Sequence, residues 1–371
     1  MKIRTITCHD VNNYGASLQA LALQTYLASL GHDVKIIDYL PSYSIPYNMW
    51  KVHPSSHLYT LSKYSHIVKL FCAARRYFQL KPTFGRKRAF QDFNKKFLLL
   101  TRHYNTYSEL AQDPPEADLY IAGSDQIWRT NMDNGKDPSY YLQFGDLRTR
   151  RISYAASFGL PSITDGLDFL VRTYLSTFDA ISVRERSGMT ILDKLGVQGT
   201  WVVDPVFLLN GTEWQDLLEI KERKIKEPYL LVYDLNHGCM KEEKERFATD
   251  YAKAKGLKIV AINDVRNTPY AQININDGSP VDFVNLIKNA EYVISDSFHA
   301  TAFCTIMHTP FSVYFNRPQA VRISDFLSML GLEYRMNNPK VMGTVIDWNK
   351  VQLLLDEQIK LSKDYLLKNM R

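Results

Sequence analysis

The residues best suited to chemistry lie in the segment 294–302, where a buried strand is expected to pass directly into a helix. Small polar residues occupy the transition, and Ser297 is placed to cap the helix. The free N–H groups and the dipole of a helix N-terminus favour an anion at such a point. His299 lies in the first turn, and a histidine beside a bound anion is favoured in its protonated form. We therefore interpret His299 as a candidate general acid and Ser297 as an anion-binding residue. The competing interpretation is a capping serine and a histidine packed against the sheet.

Three arginines follow predicted strands and are candidates for the same anion site. Arg184 ends one strand of the first half, whereas Arg317 and Arg322 follow a strand of the second half. The guanidinium group presents a rigid fork of donors that suits a phosphate or a carboxylate. A surface arginine is the alternative for Arg317 and Arg322, whereas Arg184 can instead pair with its neighbour Glu185.

Two turns of the first half carry candidates for binding a second substrate. Asp125 follows a buried strand and can act as a base or accept a bond from a sugar hydroxyl, and Trp128 offers a stacking surface. Asn13 and Tyr14 lie in the polar turn between the first strand and the first helix. Helix capping, a core aromatic and simple chain reversal are the alternative interpretations of these residues.

These residues require a framework of alternating strands and helices, and the sequence predicts one. Short apolar runs alternate with amphipathic segments from residue 3 onward, which is typical of α/β domains with parallel sheets. Ligands bind at the carboxyl ends of strands in such sheets, so two halves would face each other across a cleft. We predict an N-terminal domain at 1–205, a C-terminal domain at 206–346, and a helix at 347–371 that can cross back to the first domain.

Length and composition bound the possibilities. The chain has 371 residues, 45% of them hydrophobic and 23% charged, which excludes disorder, collagen and coiled coils and suggests about two domains. No apolar run approaches the ~20 residues of a membrane span. Four cysteines lie far apart, and no export signal or metal-binding spacing is present, so we expect a cytoplasmic protein with free thiols and no metal.

The positive charge is concentrated in one segment. Residues 69–102 hold ten basic residues and one acidic residue, a net charge of +9 within a chain of net charge +6. Phenylalanine and tyrosine are interleaved with the bases, and the surrounding residues, about 41–112, are expected to form a basic helical insertion in the first domain. Such a surface suits anionic lipid headgroups, whereas a solvated helical face with inward aromatics is the alternative.

Several ordered blocks of the sequence resemble the polysaccharide pyruvyl transferase family. They span about residues 10–335 and include Asn13-Tyr14-Gly15-Ala16, Gly123-Ser124-Asp125-Gln126-Ile127-Trp128, Tyr154-Ala155-Ala156-Ser157-Phe158-Gly159, Ser182-Val183-Arg184-Glu185, Val203-Asp204-Pro205-Val206, Ser295-Asp296-Ser297-Phe298-His299-Ala300 and Arg322-Ile323-Ser324. Each block is short, but their order and spacing make the resemblance specific.

The resemblance implies two facing Rossmann-like domains of the glycosyltransferase-B type. It implies transfer of a carboxyethylidene group from phosphoenolpyruvate to two hydroxyls of a sugar, with release of phosphate and no further cofactor. The family's histidine falls on His299 as general acid, and Arg184 matches an arginine that is expected to bind the donor. Phe298 stands where many members have arginine, and Arg317 takes the place of a lysine common in the family.

The resemblance also implies partners. The acceptor is expected to be a sugar, including one linked to a polyprenyl diphosphate at the inner membrane, so peripheral membrane contact through 69–102 and no nucleic acid are expected. A nucleotide-sugar glycosyltransferase of the same fold and a non-catalytic sugar- or anion-binding relative remain the alternatives.

Overall fold

Two parallel sheets form the framework of the protein in a computed structural model. The structure describes residues 1–43, 65–80 (the backbone alone for 76–80), 83–235, 240–263, 266–315, 321–341 and 343–370. The first sheet contains β1 (Lys2–Ile6), β2 (Asp33–Tyr39), β3 (Leu100–Tyr104), β4 (Leu119–Asp125), β5 (Arg150–Ala156), β6 (Ser182–Val183) and β7 (Thr200–Trp201). Their order is β3-β2-β1-β4-β5-β6-β7, and every pair is parallel.

Helices cover both sheets. Those of the first half are α1 (Tyr14–Ser29), α2 (His66–Leu80), α3 (Phe84–Phe97), α4 (Tyr107–Gln112), α5 (Asp168–Leu175) and α6 (Arg186–Leu195). Parallel sheets need such covering because both of their faces are apolar, and β4 is buried along nearly its whole length. Local chemistry sets the helix ends: Asn13 caps α1 through its side chain, and α6 ends at Gly196, whose φ of 67° suits glycine.

The second sheet is smaller and is built in the same way. It contains β8 (Tyr229–Tyr233), β9 (Lys258–Ile262), β10 (Ile273–Ile275), β11 (Tyr292–Ser295) and β12 (Phe311–Val313), in the order β10-β9-β8-β11-β12. Its helices are α7 (Gly211–Leu217), α8 (Lys241–Lys255), α9 (Pro280–Asn289), α10 (Phe298–Ile306) and α11 (Val321–Met329). A capping box between Ser279 and Asp282, followed by Pro280, starts α9.

The chain ends in α12 (Trp348–Asn369), which lies against the first sheet. The hydroxyl of Tyr365 donates to the carbonyl oxygen of Ser153 at 2.9 Å, and Ser362 Oγ accepts from the N–H of Val203 at 2.9 Å. Leu366 is buried in the same core cluster as Ile3 of β1. The last helix therefore returns across the molecule to the first domain.

The prediction of a basic helical insertion at about 41–112 needs correction. Residues 100–104 form β3, the edge strand of the first sheet, and 107–112 form α4. The sequence Leu-Thr-Arg-His-Tyr has no apolar run because an edge strand is half-exposed and pairs on one side only. The helical addition that the structure describes is therefore confined to α2 and α3, and residues 44–64 of the predicted segment lie outside the described part.

Helix α3 packs between the two domains. Phe90 and Phe93 are buried, and the ring of Phe90 lies 5.2 Å from that of Tyr14 in α1. Tyr14 in turn stacks on Phe283 of α9, with centroids 4.6 Å apart and an interplanar angle of 10°. Because Tyr14 and Phe283 come from different domains, this aromatic cluster joins them and fixes how the strand ends face each other.

Candidate functional site

The first turns of two helices from different domains meet at His299. Ser297 caps α10 and accepts from the N–H of Ala300 at 3.4 Å, which places His299 in the first turn. His299 is 7% exposed, and a Cβ added to Gly15 in the first turn of α1 would lie 1.8 Å from its Nδ1. Two helix N-termini at one point favour an anion through their dipoles.

A buried carboxylate connects this histidine to an arginine of the first domain. Asp204, just after β7, is 1% exposed, and its Oδ2 lies 2.5 Å from Nη1 of Arg184 and 3.5 Å from Nε2 of His299. Arg184 itself follows β6 and is almost completely buried, with its guanidinium carbon 5.0 Å from the ring centroid of Phe298. Asp204 thus contacts both domains at the cleft.

The charges of this pair stabilise each other. Burial alone would raise the pKa of Asp204, but Arg184 and His299 outweigh it and hold this pKa well below its usual range. Burial likewise works against the charge of Arg184, yet Asp204 and the more distant Asp125 and Glu185 raise its pKa. Both groups therefore remain ionised in the folded protein.

A second cation faces the same cluster from α11. Arg322 is half-buried, and its pKa falls to about 10 because of burial first and the neighbouring positive charge of Arg184 second. Among the residues that the structure describes, none forms a hydrogen bond or ion pair with the Arg322 guanidinium. Three residues later in the same helix, Asp325 accepts from the N–H of Arg186 at 3.1 Å and ties α11 to α6. Arg322 is thus a cation with donors to spare near Arg184 and Asp125.

Asp125 lies at the carboxyl end of β4, on the first-domain side of the cleft. Its Oδ1 is 3.4 Å from Nη2 of Arg184, and the side chain is 15% exposed. Its φ of 64° lies in the left-handed region, which aspartate tolerates better than most residues. Its carbonyl oxygen accepts from the N–H groups of Ile127 and Ser157, which holds this turn in place.

The turn before α1 supplies a cap and an interdomain contact. Asn13 is half-buried, and its Oδ1 accepts from the N–H groups of Gly15 and Ala16 at 2.9 and 3.3 Å. Tyr14 is fully buried, and its hydroxyl donates to Gly278 O at 2.9 Å while accepting from Arg86. The expectation that Tyr14 contacts an acceptor is corrected, because packing between the domains covers its ring and occupies its hydroxyl.

Trp128 also requires a correction. It has no exposed surface, its ring is stacked 5.5 Å from that of Tyr141, and its indole N–H donates to Tyr140 O at 3.0 Å. The apolar ring is used in the core of the first domain, which is the alternative that the sequence left open, and no face remains for a sugar. Arg317 lies outside the residues that the structure describes.

The sequence interpretation missed three residues that shape the site: Asp204, Gly15 and Arg86. Asp204 lies shortly after β7 and caps a short 3₁₀ helix, Pro205–Leu208, and its place after a strand was the available signal. Arg86 lies within the basic segment but is 4% exposed, and it donates to Tyr14 Oη, Asn263 O and Asn12 O. Nothing in the composition of that segment separates Arg86 from its exposed neighbours.

No metal centre is evident in the described ranges, where no group of three or more His, Cys, Asp or Glu side chains is arranged to hold an ion. The chemistry available at the cleft is that of two arginines, a histidine held by a carboxylate, and two helix N-termini.

Residues 13–314 match the family model described as polysaccharide pyruvyl transferase, which is most of the chain. No curated protein matches the sequence. Among solved structures, a Listeria monocytogenes protein assigned as a UDP-N-acetylglucosamine 2-epimerase is 9% identical with a TM-score of 0.50, over 97% of this chain and 90% of that one.

Two further solved structures are similar over nearly the full length. The UDP-GlcNAc 2-epimerase of Methanocaldococcus jannaschii is 12% identical with a TM-score of 0.47, over 97% of this chain and 94% of that one. Arabidopsis thaliana UGT89C1 is 10% identical with a TM-score of 0.49, over 100% and 99%. At these identities the likeness concerns the fold alone. The two parallel sheets, together with the Listeria monocytogenes structure, confirm the predicted two-domain α/β fold of the glycosyltransferase-B type.

Proposed function

The chain belongs to the polysaccharide pyruvyl transferase family, and from this premise we propose that it transfers a carboxyethylidene group from phosphoenolpyruvate to two hydroxyls of a sugar. The observation that carries the proposal is that His299 and Arg184 share Asp204 at the cleft, where two helix N-termini meet and Arg322 lies near Arg184. Phosphoenolpyruvate carries a phosphate and a carboxylate on adjacent positions, so its site needs several cations around one proton donor.

In the proposed donor complex the two arginines share the anionic groups. Arg184 is held by Asp204 through Nη1, and its Nε is buried and makes no hydrogen bond among the described residues. Arg322 brings a whole guanidinium with donors to spare from the opposite domain. Phe298 stands under Arg184 where many family members have arginine, and Arg322 supplies positive charge to the same cluster.

The reaction then proceeds by acid-assisted addition and elimination. The imidazolium of His299 gives a proton to C3 of the enol, and C2 gains oxocarbenium character that Arg184 and Arg322 tolerate because the phosphate remains bound. One sugar hydroxyl adds to C2 and loses its proton to Asp125. Inorganic phosphate leaves with the C2–O bonding pair, and the second hydroxyl adds to C2. Its proton returns to His299, while Asp125 passes the first proton to the phosphate, so the ketal closes without net oxidation.

The decisive assay measures phosphate release from phosphoenolpyruvate with and without a galactose-type acceptor, the product being analysed by mass spectrometry. We expect release only when the acceptor is present, and His299→Ala should lower the rate at least about 100-fold. His308→Ala is the matched control, since His308 stacks on Trp348 at the far end of α10. Full activity in His299→Ala would refute the acid role.

The same assay separates the alternatives. A nucleotide-sugar glycosyltransferase would be stabilised by the nucleotide sugar and not by phosphoenolpyruvate in thermal melts, and a non-catalytic relative would bind phosphoenolpyruvate without turnover. Asp296 is the acidic residue nearest to the end of β11, and its Oδ1 already accepts from the N–H of Leu235 at 2.7 Å. A ribose-binding role for that carboxylate therefore has little support.

We further propose that the acceptor is presented at an anionic membrane surface, with α2 as the contacting element. Ile67, Leu70 and Phe71 are 81%, 62% and 59% exposed, and with Ala74 they follow the spacing of one helical face, here named the α2 stripe. Exposed Lys69 and Arg75 lie beside it, and residues 66–80 include no acid. Apolar side chains flanked by bases are typical of helices that lie in the headgroup region.

The surface proposed to contact the membrane is smaller than the predicted segment 69–102. Phe90 and Phe93 of α3 are buried between the domains, so the aromatics of α3 are not available to lipid. No helix among the described residues combines the length and apolarity needed to cross a bilayer.

Co-sedimentation with vesicles tests the α2 stripe. Wild-type protein should bind vesicles of equal parts phosphatidylcholine and phosphatidylglycerol, bind less in high salt, and fail to bind phosphatidylcholine alone. Ile67→Ser with Phe71→Ser should abolish binding, whereas Leu353→Ser, at a position 64% exposed on α12, should not. Equal binding by the double variant and the wild type would contradict the proposal.

A further inference from the structure

The carboxylate of Asp204 is enclosed on every side. It is 1% exposed, its Oδ1 accepts from the N–H of Val206 at 3.1 Å, and its Oδ2 faces Arg184, His299 and the hydroxyl of Ser124. Burying a carboxylate is costly unless its charge is used, and simple pairing with Arg184 would need only one of these contacts. The 3.5 Å approach to Nε2 of His299 is the contact that pairing does not explain.

The two nitrogens of His299 face different surroundings. Nε2 points to Asp204, whereas the Nδ1 edge stands over Gly15 in the first turn of α1, where any Cβ would collide with the ring. A ring held in this way has one nitrogen assigned to the carboxylate and the other to the cleft at the helix N-terminus. The bond made by one imidazole nitrogen decides which chemistry the other nitrogen can perform.

We propose that Asp204 is a positioning residue for His299, holding a proton on Nε2 and directing Nδ1 toward the substrate. This proposal rests on the proposed acid role of His299 and extends it to the residue that prepares the acid. Arg184 keeps the carboxylate in place from the first domain, Asp204 lies in the connection between the domains, and His299 belongs to the second domain. The acid is therefore complete only when the two domains are closed on each other.

The electrostatics agree with this assignment. Arg184 and His299 keep the pKa of Asp204 below its usual range despite burial, so the carboxylate is available as an anion at every pH of interest. The other charged groups around the pair are Asp125 and Glu185, which face Arg184, and Tyr154 of β5, whose pKa is raised by burial and then by Asp204. None of these groups can take the place of Asp204. Among the described residues, the carboxylate that faces Nε2 of His299 is that of Asp204, at 3.5 Å.

Kinetics of Asp204→Asn test the proposal first. We expect kcat to fall about 100-fold or more with KM changed much less, since the amide preserves shape and removes charge. Asp137→Asn is the matched control, a buried carboxylate that accepts hydrogen bonds from Tyr39 and Ser139 in the first domain. Unchanged kcat in Asp204→Asn would overturn the proposal.

A spectroscopic measurement needs no substrate. In the full-length protein labelled with ¹⁵N-histidine, the signals of His299 are identified by their loss in His299→Gln. The neutral ring of the wild type should carry its proton on Nε2, and Asp204→Asn should lose this preference. Identical tautomers in both proteins would overturn the positioning role. If the tautomers of the wild type and Asp204→Asn differ but the wild type does not turn over phosphoenolpyruvate, the proposed function is refuted and the positioning role stands.

Gly15→Ala guards against misfolding as an explanation. The substitution keeps every charge but places a Cβ where the Nδ1 edge of His299 lies. We expect a loss of kcat similar to that of Asp204→Asn, with a melting temperature that stays within a few degrees of the wild type. Wild-type kcat in a folded Gly15→Ala protein would show that the orientation of His299 does not matter and would count against the proposal.

Discussion

Helices α2 and α3 have similar compositions and opposite environments. Both interleave basic and aromatic side chains, yet α3 buries Arg86, Phe90 and Phe93, whereas α2 exposes Ile67 and Phe71. Helix α3 lies between α1 and α9, where Gly85 allows close approach to Asp277 of the second domain. A basic aromatic segment therefore acquires its role from its location: α3 is a joint between the two domains, whereas α2 is an open surface.

The largest effect is expected from removing an aromatic ring of the joint. Phe90→Ala should lower the free energy of unfolding by about 4 kcal/mol, since it empties a fully buried site against Tyr14. Phe71→Ala in α2 should change it by less than about 0.5 kcal/mol. Urea denaturation measures both, and similar losses in the two variants would erase the distinction between the helices.

The buried guanidinium of α3 is expected to come next. Arg86→Ala should cost about 3 kcal/mol, because it leaves the carbonyl oxygens of Asn263 and Asn12 and the hydroxyl of Tyr14 without their donor. Arg88→Ala, whose side chain is 85% exposed, should be nearly neutral. Thermal melts of the two variants measure both effects. An Arg86→Ala protein as stable as the wild type would show that Arg86 does not stabilise the joint.

Tyr14→Phe tests the joint through the pH dependence of its contribution to stability. Burial raises the pKa of Tyr14 to about 12, although Arg86 opposes the rise, so the folded protein holds this proton more tightly than the unfolded chain. Its contribution to stability is therefore complete below pH 10 and lost as the pH rises toward 12. Tyr14→Phe should be about 1.5 kcal/mol less stable than the wild type at pH 8, with the gap narrowing above pH 10. A gap independent of pH would contradict this account.

The smallest effect is expected at the exposed end of α3. Lys96 pairs with Glu219 across the domains at 2.7 Å, but both side chains are more than half exposed. Solvent and salt screen such a pair, so Lys96→Ala should cost less than about 0.5 kcal/mol and should lose even that in high salt. A loss above about 1 kcal/mol in urea denaturation would mean that the surface of the joint matters as much as its core.

Local patterns predicted much of this protein. The alternation of apolar strands and helices indicated two parallel sheets, and the block around His299 indicated a helix N-terminus capped by Ser297, as the structure has it. Edge strand β3 escaped notice because its residues face solvent and carry no apolar signal. Trp128 was assigned to a ligand because sequence alone does not tell a tryptophan in a core from one in a cleft.

Most of the strands and helices, the caps and the candidate acid follow from residue types at short spacing, since helix and strand periodicity and capping act within a few residues. Contacts between residues far apart in the chain bring Arg184, Asp204 and His299 together. Such contacts also bury α3 and leave α2 exposed. Burial decides the state of each of these charges, and burial is created only when two sheets and α3 pack together. The sequence therefore identified candidate residues of the cleft one by one, and tertiary packing assembled them into a site.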